Sequence, residues 1–126
     1  MLRGIKRAGL GLTGALGFNA AVRDSRWRAG RVAILCYHGV SMDDEHLWNP
    51  RYFITPAALE QRFRALRERY NVLPLGEAVR RLYERALPPR SAVITFDDGG
   101  HDFYQRAFPL LRKYELPATV YLTTYY

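Results

Sequence analysis

Residues 91–101 read Ser-Ala-Val-Ile-Thr-Phe-Asp-Asp-Gly-Gly-His, a short β-branched and apolar run that ends on two adjacent carboxylates and two glycines. A strand sends successive side chains to opposite faces, so Asp97 and Asp98 cannot share a site inside a regular strand. At a strand end they can. Gly99 and Gly100 accept backbone angles closed to other residues, so the chain can turn there and hold both carboxylates at the rim of a sheet. The carboxyl ends of parallel strands are where α/β proteins usually place their chemistry. From the residues alone two readings of the pair stand side by side. One is a turn that caps the next helix. In the other, one carboxylate binds a divalent metal and its neighbour is a general base. A hairpin fits less well, because the residues after Gly100 run at helical period.

The surrounding pattern supports a rim. Val32 to Tyr37 is a continuous apolar run of strand length, expected to be buried on both faces, and it stops at His38 and Gly39. Cys36 lies within that run and reads as a small buried hydrophobe. Residues 41–54 are polar, contain Asp43, Asp44, Glu45 and Pro50, and read as one long loop at the strand's carboxyl end. His46 and Trp48 sit in it, where an aromatic ring can stack on a sugar or anchor the loop. Thr55 followed by Pro56 is a helix start, and Leu59, Phe63, Leu66 and Tyr70 then recur at helical spacing. Asn71 to Leu75 is a second strand candidate. Gly76 to Ala86 is a second helix, expected to turn Ala78, Val79, Leu82, Tyr83 and Ala86 inward. After Ser91 to Phe96 comes a third helical pattern through Phe103, Ala107, Leu110, Leu111 and Tyr114. Pro109 interrupts it and requires a kink or a new helix there. Ala118 to Thr123 is the fourth strand. Strand and helix alternate, so the fold class is α/β, a partial distorted (β/α) barrel with parallel strands and right-handed crossovers. Four strands cannot close a barrel, so residues 32–126 read as the N-terminal half of a larger domain.

Charge separates the chain differently. It is 126 residues long with 19 basic and 12 acidic groups, a net charge of +7. Residues 1–31 hold seven of the basic groups and one acid, so the rest of the chain is nearly neutral. The basicity therefore belongs to a leader, and no nucleic-acid partner is expected, since only Trp27 interleaves an aromatic ring with its basic groups. Arg3, Lys6 and Arg7 precede a glycine-interrupted apolar run from Ala8 to Phe18. That is too short to span a bilayer. It reads as an uncleaved amphipathic helix lying on a membrane surface, or as an export signal with a poor cleavage site. Membrane-associated, exported and cytoplasmic locations all stay open. A non-catalytic membrane-surface module acting through this leader is the alternative function.

The segments Ile34-Leu-Cys-Tyr-His-Gly-Val40, Val93-Ile-Thr-Phe-Asp-Asp-Gly-Gly100 and Leu110 to Thr124 together resemble the N-terminal half of the polysaccharide deacetylase family, the NodB homology domain or carbohydrate esterase family 4. The resemblance implies a distorted (β/α) barrel that hydrolyses N- or O-acetyl groups on a polysaccharide with zinc or a similar divalent ion. It implies Asp97 as catalytic base and Asp98 as metal ligand. His38, Gly99, His101 and Trp48 are candidates for the pocket around them. The family's His-x-x-x-His metal motif is missing: the histidines are His38, His46 and His101, no two of them four apart. One aspartate does not hold zinc tightly, so activity of these residues alone is not expected.

Overall fold

The computed structural model describes residues 30–125, so the leader reading, an amphipathic helix or export signal, lies outside the described residues. The elements in chain order are β1 (Val32–Tyr37), β2 (Gly39–Val40), α1 (Glu45–Trp48), β3 (Phe53–Ile54), α2 (Pro56–Arg69), β4 (Asn71–Val72), α3 (Leu75–Tyr83), β5 (Ser91–Phe96), a π-helical turn (Phe103–Ala107), α4 (Phe108–Lys113) and β6 (Thr119–Val120).

β5 is the centre of a four-stranded parallel sheet, and all six of its residues are buried. β1 pairs along the whole of one edge, from Val32 beside Ser91 to Tyr37 beside Phe96. β4 takes the beginning of the other edge, at Ser91 and Ala92, and β6 takes its end, at Thr95 and Phe96. A second parallel pair joins β2 to β3, with Gly39 beside Phe53. The α/β class and the parallel alternation are therefore present, with two additions. The stretch 41–54, expected as loop, contains α1 and β3, because Gly39 and Ser41 donate to the Tyr52 and Ile54 carbonyls and draw the chain into pairing.

α2 and α4 share one core with the face of β5 that carries Ala92, Ile94 and Phe96. Thr55 starts α2 by accepting from the Ala58 amide at 3.2 Å, with Pro56 in the first turn, where its missing N–H costs nothing. Leu59, Phe63 and Leu66 then bury against Tyr37, Ile94 and Phe96. A Glu60 carboxylate receives Lys113 Nζ at 2.6 Å and the Tyr114 hydroxyl at 2.9 Å, tying α2 to α4 and its C-terminus. Pro109 sits in the first turn of α4, but no separate helix starts there: the backbone is helical without a break from His101 to Lys113, and the π-helical turn just before the proline is its one irregular stretch.

Two burial expectations fail. β1 is covered on one face only: Ala33, Leu35 and Tyr37 face the core, whereas Ile34 is 59% exposed and Cys36 is exposed. The strand is apolar throughout, so its sequence alone hides this asymmetry. On α3 only Ala78 is buried, while Val79, Leu82 and Tyr83 are exposed and Ala86 lies beyond the helix end. The small Ala78 is the point of close approach, and the larger side chains beside it remain in solvent.

Candidate active site

The register between β1 and β5 sets the site. Tyr37 lies beside Phe96, so the next residues, His38 and Asp97, emerge together from the carboxyl ends of the two strands. The Asp97 amide still donates to the Tyr37 carbonyl at 2.9 Å, which holds the two ends in step. His38 Nε2 stands 3.2 Å from Asp97 Oδ2. Cys36, two residues back and so on the same side of β1, directs its thiol to the same oxygen at 3.3 Å. Partial burial, and after it the Asp97 carboxylate, raise the Cys36 pKa, so the group is a neutral thiol at pH 7. The pair is accessible, with the His38 side chain 43% and the Asp97 side chain 33% exposed.

Asp98 leaves the strand in another direction. Its φ is +68° and that of Gly99 is +63°, and the Gly99 amide donates back to the Asp97 carbonyl at 2.9 Å. The left-handed residues are thus Asp98 and Gly99 rather than the two glycines expected to make the turn. A non-glycine residue held there costs on the order of 1–3 kcal/mol, although aspartate tolerates the region better than most. The turn carries the Asp98 side chain to the rim, where the Tyr52 hydroxyl donates to its Oδ2 at 2.7 Å. Tyr52 reaches this point because the β2–β3 pair delivers it, and its ring lies 5.0 Å from that of His38. Gly39 makes that approach feasible, since a Cβ there would run into the Phe53 ring. Gly99 is hemmed in similarly by Leu122. Asp102 ties the rim to the helix that follows, accepting from the Val40 amide at 2.6 Å.

Of the residues singled out from sequence, the fold brings His38 to Asp97 and keeps Asp98 and Gly99 in the adjoining turn. Trp48 is 66% exposed and packs on Phe53, and His101 is exposed at the start of the helical segment with no hydrogen bond to either aspartate. His46 accounts for itself locally, bonding Ser41 Oγ. Tyr52 and Cys36 were missed. Cys36 and His38 alternate along one strand, which is a legible signal, whereas nothing near Tyr52 in the sequence points to Asp98.

A catalytic zinc site uses about three protein ligands. Among the described residues Asp98 belongs to no such group; the grouping of potential ligands is Cys36, His38 and Asp97, whose donor atoms all lie within 4.8 Å of one another. Asp98 thus stands apart from that group, with Tyr52 as its hydrogen-bond partner.

Residues 84–126 match the family model described as polysaccharide deacetylase. A poly-beta-1,6-N-acetyl-D-glucosamine N-deacetylase of Escherichia coli strain K12 is 30% identical over 95 residues, 73% of this chain and 14% of that protein. Among solved structures, the Streptococcus pyogenes deacetylase PplD in complex with acetate superposes with a TM-score of 0.66 at 33% identity, covering 74% of this chain and 42% of the other. IcaB from Ammonifex degensii gives 0.62 at 31% identity, covering 72% and 37%. The chain thus spans less than half the length of these relatives.

Proposed function

We propose that this chain, whose residues 84–126 match the polysaccharide deacetylase family model, supplies the base half of a metal-dependent site hydrolysing acetyl groups on a polysaccharide. The observation that carries this reading is the 3.2 Å contact between His38 and Asp97 at the carboxyl ends of β1 and β5, with Asp98 turned out beside them. An N-acetylated sugar polymer is the favoured substrate class, because the Escherichia coli relative bears the name of an N-deacetylase of such a polymer.

In this reading Asp97 is the general base. Its Oδ2 is engaged by the Cys36 thiol and the His38 ring, which leaves Oδ1 to take the proton of a water attacking the acetyl carbonyl. His38 orients the carboxylate and stabilises its charge. Asp98 is the metal ligand, and the Tyr52 hydroxyl on Oδ2 fixes its carboxylate plane. A divalent ion, zinc or one like it, would polarise the carbonyl and acidify the water. The remaining ligands are not among residues 30–125, so acetyl hydrolysis by these residues alone is not expected.

The test is acetate release from oligomers of β-1,6-linked N-acetylglucosamine by the full-length protein with zinc added. Asp97→Asn should lower kcat/KM by about 10²–10⁴-fold. Undiminished release in that variant would remove Asp97 as the base.

A further inference from the structure

We infer that Cys36, His38 and Asp97 form a second divalent-ion site, selective for thiophilic ions such as Zn²⁺, Co²⁺ and Cd²⁺ and distinct from the one to which Asp98 contributes. Its three donors come from the alternation of one strand and the register with its neighbour. Cys36 and His38 project from the same side of β1, and Asp97 stands level with His38 at the end of β5.

The geometry matches what such an ion requires. Zinc bonds of about 2.3 Å to sulfur and about 2.0–2.1 Å to nitrogen or oxygen, arranged tetrahedrally, set donor atoms about 3.3–3.6 Å apart. Cys36 Sγ and His38 Nε2 already lie 3.3 Å and 3.2 Å from Asp97 Oδ2. All three donors fall within 4.8 Å of one another, so a small side-chain rotation closes the third edge. Sulfur, imidazole and carboxylate together favour a borderline-soft ion over Mg²⁺ or Ca²⁺. Cys36 and His38 are exposed and Asp97 partly so, which leaves a path of entry and a fourth position for water.

Binding exchanges one proton for the ion. The thiol proton passes to solvent, the thiolate bonds the metal, and no group changes oxidation state. The ion also occupies the Asp97 carboxylate. Excess zinc should therefore suppress acetyl hydrolysis, a consequence that rests on Asp97 being the base; the binding itself does not depend on that reading.

The experiment is a Co²⁺ titration of the 126-residue chain followed by ultraviolet and visible absorption. A thiolate-to-cobalt charge-transfer band saturating at one ion per chain is expected. It should disappear in Cys36→Ser, weaken by at least ~10-fold in affinity in His38→Gln, and persist in Asp98→Asn. Because Cys36 is the single cysteine of the chain, Zn²⁺ should also slow its alkylation by iodoacetamide, a readout that needs no variant. Cobalt binding without the sulfur band, a band abolished by Asp98→Asn, or unprotected alkylation at saturating Zn²⁺ would each overturn the site. None of these outcomes bears on whether Asp97→Asn abolishes acetate release.

Discussion

The Tyr52 hydroxyl and Asp98 Oδ2 meet at 2.7 Å across 46 residues of sequence, joining the β2–β3 pair to the turn after β5. Hydrogen bonds to a charged group contribute about 1.5–3 kcal/mol where they are shielded from water and less where exposed, as here. Tyr52→Phe should therefore cost about 1 kcal/mol or less in urea unfolding. If Asp98 holds a metal, the same variant should lower its affinity or acetate release by about 10–100-fold, because the carboxylate loses its orienting partner.

Gly99 combines a left-handed backbone with a side chain already in its way. Gly99→Ala places a Cβ against Leu122 at a φ of +63°. A loss of about 1–3 kcal/mol is expected by chemical denaturation. The double variant Gly99→Ala, Leu122→Ala should recover the steric part and retain the backbone part, so the two changes should couple rather than add.

Phe63 anchors α2 to the sheet. It is wholly buried and meets Tyr37 edge-on, with ring centres 6.2 Å apart. Phe63→Ala should cost about 3–5 kcal/mol, through lost burial and the cavity left behind. Phe63→Leu should cost clearly less in the same thermal or urea experiment.

Glu60 makes the link between α2 and α4 sensitive to acid. The Lys113 hydrogen bond, and then that of Tyr114, hold its pKa below the usual glutamate value. A folded-state pKa lower than the unfolded one stabilises the fold above the unfolded value, about 4.3, and this contribution is lost as the pH falls through the folded pKa. Wild type should thus be more stable than Glu60→Gln at pH 7, and the two unfolding curves should converge towards low pH. The Lys113 side chain is 60% exposed, so the difference should be small and shrink with added salt.

Much of this protein is set by short-range pattern. The strand at Ser91–Phe96, the Thr55–Pro56 helix start, the inward face of α2 at Leu59, Phe63 and Leu66, and the departure from regular α-helix beside Pro109 all follow from periodicity and local stereochemistry, which act over one or two turns of chain. The same locality placed Asp97 and Asp98 at a strand end. What the two carboxylates do there was decided by tertiary contacts. The β1–β5 register brings Cys36 and His38 to Asp97 across about 60 residues. The left-handed turn falls on Asp98 and sends it to Tyr52. Whether an apolar strand is covered on one face or both depends on what packs against it, which is why Ile34 and Cys36, alike in sequence to their buried neighbours, lie open. Periodicity identifies which residues can share a face; only the pairing of distant strands determines which other side chains they meet.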